Sequence, residues 1–357
     1  MAPRPPDLRK YELLLGRYFR VPAADRTTAE RERILRSLGI GNPREFLGMH
    51  IPLWEARVDE LLDPASTDML PVSLSHFYVN WVRGAIRSMP DGARVMIFSS
   101  KLKATGLKKA VLSLLRSLTG KAHRDFEVAD VQLLQRVHKD TFFSVRTPDG
   151  ATHPLYLSHF GCQGEYIFSG LPGLVGLPAI PVVYHVTPQG EEVLLKPETE
   201  GANIYLGEGI TAARILRDGS WWVEGAARQD ALGDCVGTAL RYGHYIATRE
   251  RKVVMVDNIE LFHLDDGDVR IFEPIHDFLP RKTFPGDAAR RERLRRKMRA
   301  DYEKAYGDQM ATIRGKWPEI ERYLAGMHRI VRRYTGEPFE AVAARVRARI
   351  FGKAGGG

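Results

Sequence analysis

Cysteine is scarce in this 357-residue chain, which contains only Cys162 and Cys235. Two thiols supply neither a four-cysteine zinc site nor a disulfide-dense scaffold, and free cysteines are usually small buried apolar residues. No apolar run reaches the roughly 18 residues that a membrane-spanning helix needs, and the charged amino terminus does not resemble an apolar signal core. We therefore expect a cytoplasmic protein without a transmembrane segment.

Motifs of several common enzyme classes are also absent. The chain has no G-x-S-x-G elbow, no G-x-x-x-x-G-K-[ST] loop and no G-x-G-x-x-G fingerprint, which argues against hydrolase, P-loop and dinucleotide-binding chemistry. Five histidines of the middle region are scattered without the spacing of a metal-binding helix: His138, His153, His159, His185 and His263.

What the chain has instead is an uneven distribution of charge. Lys and Arg outnumber Asp and Glu by 21 to 13 in residues 1–125 and by 20 to 9 in residues 281–357, whereas residues 126–280 contain 12 basic and 22 acidic residues. The basic flanks either pack against the acidic centre or meet an outside polyanion, such as nucleic acid or an anionic surface. The charge pattern leaves both alternatives open.

The predicted secondary structure changes from mostly helical to strand-rich near Phe126. Residues 1–125 are mostly helical in pattern, with a capping box over Thr27–Glu30 and a basic-faced helix over Thr105–Leu118, although Arg94–Ser99 favours a short strand. From Phe126 onward, five short β-branched runs separated by turns predict a small, mostly antiparallel sheet. One helical candidate, Gln163–Leu171, follows the third strand.

The second half is predicted to be helical apart from one hairpin. Ala231–Ala247 is a long apolar-rich stretch, and the segments VVMVDNIELFHL and DVRIFEPI predict two strands around the turn Asp265–Asp268. Further helices are expected after Asp287, from Pro318 through Tyr334 and from Pro338 through Phe351.

The middle of the chain thus has a strand-rich lobe, a crossover segment, a long helix, a carboxylate loop, a hairpin and a second carboxylate. In this order residues 126–280 resemble the protein-kinase-like superfamily, especially its aminoglycoside and choline phosphotransferase branch. The resemblance implies an α+β, two-lobed fold: a small lobe over 126–205 and a helical large lobe over 206–351. A mostly helical N-terminal domain of unknown family, 1–125, precedes it. The glycine-rich residues 352–357 predict a disordered tail. The implied cofactors are ATP and Mg²⁺.

The resemblance implies nucleotide-binding roles in the small lobe. The turn over residues 135–141 would cover the phosphates, and since it contains no glycine, Arg136, His138 and Lys139 would meet them as charges. The third strand lacks the lysine that normally holds phosphates and pairs with a glutamate on the next helix. Glu165 takes the position of that glutamate.

The last small-lobe strand, in EEVLLKPETEGANI, offers two alternatives. In the first alternative, Leu194 and Leu195 form the apolar wall of an adenine pocket, and Glu198–Gly201 forms the hinge behind that pocket. In the second, similar to lanthipeptide dehydratases, Lys196 is the phosphate lysine and Trp221–Gly225 is the hinge. We favour the first, because the second leaves only about thirty residues before the catalytic loop, which is short for a kinase-like large lobe.

The catalytic residues implied by the resemblance lie further along the chain. Asp257 falls on the aspartate that orients or deprotonates the attacking hydroxyl, whereas Phe262 stands where the magnesium-binding asparagine is expected. Glu273, sixteen residues after Asp257, takes the place of the magnesium carboxylate. Asp277 and Asn258 are further candidate magnesium ligands.

Phosphoryl transfer depends almost entirely on positioning and charge neutralisation. A chain without the usual lysine, glycines and asparagine is therefore predicted to be a divergent kinase-like phosphotransferase or a nucleotide-sensing pseudokinase. The alternative is a non-catalytic scaffold whose basic flanks bind a protein partner, nucleic acid or an anionic surface. The acceptor substrate is not indicated.

Overall fold

The structure, a computed structural model, describes residues 16–18, 20–22, 25–37, 93–133, 141–159, 161–203, 221–238, 245–256, 261–262 and 288–352. The chain divides into two compact units. The first comprises Met1–Cys162 and Pro181–Glu198, and the second comprises Gln163–Ile180 and Thr199–Gly357. These boundaries differ from the predicted divisions at residues 125 and 205.

The first unit combines helices with one antiparallel sheet. Its helices are α1 (Thr28–Ser37), α2 (Ala93–Ala104) and α3 (Leu107–Thr119), and its strands are β1 (Glu127–Leu133), β2 (Thr141–Arg146), β3 (Thr152–Ser158), β4 (Val183–Val186) and β5 (Glu192–Pro197). The strand order is β1-β2-β3-β5-β4, and every neighbouring pair is antiparallel. The predicted five strands and their antiparallel pairing are confirmed.

The predicted capping box at the start of α1 is also confirmed. The backbone N–H of Glu30 donates to Oγ1 of Thr27 at 3.3 Å, and the backbone N–H of Thr27 donates to Oε2 of Glu30 at 3.1 Å. Each side chain thereby satisfies a backbone donor that the first helical turn leaves without a partner.

The expected strand at Arg94–Ser99 is wrong, because these residues belong to α2. Phe98 and Leu102, four residues apart, are buried on one face of the helix, and the Phe98 ring lies 4.7 Å from the ring of Phe143 in β2. Val, Ile and Phe in the segment favour a strand locally, but packing against the sheet selects the helix.

Helices α2 and α3 cover one face of the sheet. The buried side chains of α3 recur at helical spacing, and their partners in the sheet alternate along the strands, as a half-covered sheet requires. The shared core contains Leu107, Val111, Leu114 and Leu115 of α3 and Phe143, Val145, Leu155, Leu157, Val193 and Leu195 of the sheet. The helices preceding residue 125 therefore belong to the same unit as the sheet.

The second unit is mainly helical. Its elements are α4 (Cys162–Ser169, whose first residue belongs to the first unit), α5 (Leu171–Leu174), β6 (Ala202–Asn203), α6 (Trp221–Val236), β7 (Tyr245–Ala247), β8 (Val253–Met255), α7 (Ala288–Gly315), α8 (Trp317–Gly326), α9 (His328–Thr335) and α10 (Phe339–Phe351). The strands form an antiparallel sheet in the order β6-β7-β8. Helix α6 packs against α7, α10 and β8.

Two predicted helices of this unit have different bounds in the structure. The helix expected over Ala231–Ala247 begins at Trp221 and ends at Val236, and the last residues of the predicted stretch form β7 instead. The helix expected from Pro318 to Tyr334 is divided into α8 and α9 at Met327. The predicted helix after Pro338 is confirmed as α10. Among the described residues, every helix is too short or too polar to cross a lipid bilayer.

Candidate functional site

The second face of the first unit's sheet carries a buried lysine. Successive side chains of a strand point to opposite faces, so in β5 Val193 and Leu195 enter the core beneath α2 and α3, whereas Leu194 and Lys196 lie on the other face. Lys196 is only 8% exposed. Because an ammonium group loses its hydration when buried, a lysine at such a position is unusual.

Lys196 belongs to a row of side chains that crosses the sheet. It pairs with Tyr156 of β3, and Tyr156 pairs with Phe142 of β2. Directly opposed residues of antiparallel strands have Cβ atoms about 4.5–5.5 Å apart on the same face. The rings of Phe142 and Tyr156 have centroids 5.0 Å apart and meet edge to face. The row therefore places an amino group beside a half-buried aromatic pair.

The predicted adenine wall lies within β5, and the predicted hinge directly follows this strand in the chain. Leu195 is fully buried in the core shared with α3, and its neighbour Leu194 lies on the face that carries Lys196. The backbone N–H of Glu198 donates to the carbonyl of Pro154 at 3.0 Å, which continues the β3–β5 pairing, and the Glu198 side chain is exposed. The first unit ends at Glu198, so the predicted hinge over Glu198–Gly201 contains the unit boundary.

Glu165 is the remaining described member of the predicted site. It lies in the first turn of α4 and is 6% exposed. A carboxylate in the first turn of a helix is favoured by the helix dipole. Glu165 belongs to the second unit, and its nucleotide-binding role stays a prediction.

Seven predicted site residues lie outside the described part of the chain. They are Arg136, His138 and Lys139 of the predicted phosphate loop and Asp257, Asn258, Glu273 and Asp277 of the predicted catalytic and magnesium sites. Within the described ranges no three His, Cys, Asp or Glu side chains form a potential metal-ligand set. The magnesium prediction therefore depends on residues beyond those ranges.

Described residues precede and follow positions 257–260 of the predicted catalytic loop. Strand β8 lies before these positions in the chain, and after them the backbone N–H of Leu261 donates to the Tyr334 hydroxyl at 2.7 Å. The backbone N–H of Phe262 donates to the carbonyl of Val236 at 3.1 Å. Phe262 has a φ of 63° and is buried. Bulky residues rarely adopt a positive φ, and such strain concentrates at functional sites.

A buried polar cluster ties the helix α6 to the strand β7 that precedes this loop. The hydroxyl of Tyr245 in β7 donates to Oδ1 of Asp230 in α6, and the hydroxyl of Tyr302 in α7 donates to Oδ2 of the same carboxylate. Burial, followed by the nearby Asp230 carboxylate, raises the pKa of Tyr245 well above its ordinary value. Tyr245 therefore stays a neutral donor, and the cluster fixes β7 against two helices.

Sequence reasoning did not select Phe142, Tyr156 or Asp230. The alternation of apolar and polar residues in β2 and β3 could have assigned Phe142 and Tyr156 to one face. The register that sets Tyr156 beside Lys196 joins residues forty positions apart, and no local pattern encodes it. The rival hinge at Trp221–Gly225 is wrong, since these residues form the first turns of α6.

Comparisons with known proteins identify no family. No family model matches the chain, and no curated protein matches it. Among solved structures, the open conformation of CtTel1 is similar to it with a TM-score of 0.37 and 9% sequence identity. That similarity covers 97% of this chain and 17% of the other, so the chain spans a small part of that protein's length. A TM-score of 0.37 carries no argument about fold or function.

Proposed function

We propose that the chain is a divergent kinase-like phosphotransferase or a nucleotide-sensing pseudokinase that binds Mg²⁺·ATP. The observation that carries the proposal is the buried Lys196, which lies beside Tyr156 and Phe142 on the face of the sheet opposite the helical core. A cation on a sheet face is the group with which kinase-like folds hold nucleotide phosphates.

The arrangement of the first unit supports the proposal. Its five-stranded antiparallel sheet is what the kinase resemblance implies, and so is a helix directly after the third strand in the chain, although that helix, α4, belongs to the second unit apart from Cys162. The expected lysine is missing from β3, but Lys196 of β5 is the direct cross-strand neighbour of Tyr156 in β3. Because opposed Cβ atoms lie within about 5.5 Å, Lys196 reaches the space that a lysine on β3 would reach.

In this proposal the chain's side chains fit the nucleotide and its metal only in part. Lys196 would neutralise phosphate charge, and Asp257 would orient an acceptor hydroxyl. Glu273, with Asp277 or Asn258, would supply oxygen ligands, for which Mg²⁺ has a strong preference. The side chain of Phe262 has no oxygen or nitrogen to offer a metal, and it is buried in the core of the second unit. Bound Mg²⁺ would neutralise charge on the transferring phosphate.

The test is thermal denaturation with millimolar Mg²⁺·ATP. Ligand at a hundred times its dissociation constant stabilises a protein by about 2.7 kcal/mol, so we expect the midpoint of the wild-type chain to rise by several degrees. Lys196→Met, which keeps the apolar stem, should abolish the rise, and so should Asp257→Ala combined with Glu273→Ala. Lys109→Ala, an exposed lysine of α3, is the matched control and should keep it.

Two outcomes would refute the proposal. One is no stabilisation of the wild-type chain by Mg²⁺·ATP, and the other is a shift of the same size in Lys196→Met. Transfer of labelled γ-phosphate to water or to the chain then separates the phosphotransferase from the pseudokinase. In either case we propose that the chain acts in the cytoplasm, where its two buried thiols stay reduced.

A further inference from the structure

Helices α8 and α9 follow one another directly in the chain and meet at Met327, which ends α8 and precedes the first residue of α9. The backbone N–H of Met327 donates to the carbonyls of Tyr323 and Leu324, and the carbonyl of Met327 accepts from Ile330 and Val331. Met327 itself has φ −99° and ψ 11°, outside the helical range, so these bonds close the last turn of α8 and open the first turn of α9. Arg322 of α8 and Arg329 of α9 lie on either side of this junction.

One side of α9 carries three arginines and a histidine. At 3.6 residues per turn, positions i, i+1, i+4 and i+5 cover about 140° of a helix surface, and in α9 these positions hold His328, Arg329, Arg332 and Arg333, which are all exposed. The opposite side contains the buried Val331 and the partly buried Ile330 and Tyr334, which pack against the core of the second unit. The helix contains no acidic residue.

A favourable interaction with the helix dipole explains only some of these positively charged side chains. Arg332 and Arg333 lie in the last turn, where the helix dipole favours positive charge. Arg322 and Arg329 lie away from that end and are exposed as well. Of the two glutamates of α8, Glu319 forms an ion pair with Lys316 at 3.1 Å, and Glu321 is exposed. The surface from Arg322 to Arg333 therefore carries a marked excess of positive charge.

The side chains around these arginines favour a binding partner that makes charged contacts and needs no apolar contacts. Membrane-surface helices need an apolar face with Trp, Phe or Leu to insert, and stable protein interfaces need buried apolar or aromatic anchors. Among the described residues the exposed large hydrophobic side chains are Val186 and Phe351, and neither lies in α8 or α9. A nucleic-acid phosphate backbone requires only cations at helical spacing.

We propose that the exposed arginine face of α9, formed by Arg329, Arg332 and Arg333, binds the phosphate backbone of nucleic acid without reading its sequence, and that the exposed Arg322 of α8 adds positive charge to it. Guanidinium groups bind phosphate oxygens through two parallel N–H···O hydrogen bonds. Such binding weakens steeply as the salt concentration rises, because binding releases counterions condensed on the nucleic acid and added salt opposes that release.

The experiment measures binding of a fluorescent, mixed-sequence 20-base-pair DNA duplex to the full chain between 50 and 200 mM salt. Each phosphate contact contributes about −0.9 to the slope of log K against log salt. Arg329→Ala combined with Arg332→Ala should flatten the slope by about 2 and weaken binding roughly tenfold at the lower salt concentration. The control, Arg36→Ala with Arg249→Ala, removes two exposed arginines elsewhere and should change neither quantity.

Three results would overturn the proposal. They are no binding to the duplex, an equal loss of affinity in the control variant, and binding to phosphatidylserine vesicles with none to the duplex. Since exposed arginine substitutions usually change stability by less than about 0.5 kcal/mol, all variants should show the wild-type melting temperature. Mg²⁺·ATP binding is measured separately, so failure here leaves the nucleotide proposal intact.

Discussion

The hydroxyl of Tyr302 donates a hydrogen bond of 2.5 Å to Oδ2 of Asp230, and this bond joins α7 to α6 inside the core of the second unit. One helical turn further, the hydroxyl of Tyr306 donates to Oδ2 of Asp234 at 2.6 Å. Asp230 is 4% exposed, whereas Asp234 is half-buried. The same two helices thus share two tyrosine–carboxylate hydrogen bonds, and the bond between Tyr302 and Asp230 is the more deeply buried of the two.

Removing the deeper hydroxyl should be the more costly change. Tyr302→Phe takes a donor from a buried carboxylate, and we expect it to lower the free energy of unfolding by about 1–3 kcal/mol. Tyr306→Phe, whose partner keeps access to water, should cost less than about 1 kcal/mol. Urea denaturation followed by tryptophan fluorescence measures both, and an equal or larger loss in Tyr306→Phe would contradict the proposed difference in burial.

Helix α6 approaches β8 so closely that one position has no room for a side chain. A Cβ at Gly225 would lie 2.6 Å from Cγ2 of Val253. Gly225→Ala should therefore destabilise the chain by about 1–3 kcal/mol through overpacking, even though alanine is the better helix former.

Gly307 of α7 is the matched control for this substitution. Nothing lies within 4 Å of a Cβ at this position, so Gly307→Ala should stabilise the helix by about 0.5–1 kcal/mol. Thermal and urea midpoints should move in opposite directions for the two variants. A stabilising Gly225→Ala would show that α6 and β8 do not pack as described.

The Cys235 thiol should be inert in the folded chain. Burial, followed by the neighbouring charge of Asp234, raises its pKa to about 12, so only about one thiol in ten thousand is ionised at pH 8, and the thiolate is the reactive form. In a Cys162→Ser variant, which leaves Cys235 as the single thiol, we expect a disulfide reagent to react at least about a thousandfold more slowly before unfolding than after it. Rapid labelling of the native variant would disprove the burial of Cys235.

The histidine His153 should make stability fall in mild acid. Burial, then the nearby His123, lowers the pKa of His153, while Asp149 opposes the shift. With a lowered pKa the folded chain holds His153 neutral where the unfolded chain protonates it, so its contribution is present above about pH 6.5 and is lost as the pH falls through the folded pKa. His153→Gln should lose less stability than the wild type between pH 7.5 and 5.5.

The neighbour His123 provides an independent check of this cause. His123→Gln removes one positive charge facing His153, so the pKa of His153 should rise toward its ordinary value without reaching it, because burial remains. Nuclear magnetic resonance of labelled histidine measures the pKa of His153 directly in the wild type and in the His123→Gln variant. An unchanged pKa of His153 would mean that the two rings do not interact.

Much of the fold could be predicted from local patterns. Turn residues bounded the strands at Pro148–Gly150 and Pro188–Gly190, where Gly150 and Gly190 adopt positive φ. The i, i+3 pattern of Thr27 and Glu30 marked the start of α1. These signals involve only residues that are close in sequence, so they can be recognised without the rest of the chain.

The candidate site was much less accessible to sequence reasoning. The spacing of the chain argues against Lys196 as a phosphate lysine, because it leaves a short segment before the catalytic loop. The burial of Lys196 and its register with Tyr156 favour that role, and both depend on strands that are distant in sequence. The two-carboxylate site at Asp257 and Glu273 stays a prediction, as does the phosphate loop at Arg136, His138 and Lys139.

The sequence by itself determined where most strands and helices begin and end, because capping, turn chemistry and alternation are local properties of the chain. Only the tertiary structure decided that Arg94–Ser99 is helical, that Tyr245–Ala247 is a strand, and that Lys196 stands beside Tyr156. The physical reason is the same in each case. Burial against distant segments outweighs local propensities of a few tenths of a kcal/mol per residue, and strand register is set by long-range packing that local patterns do not contain.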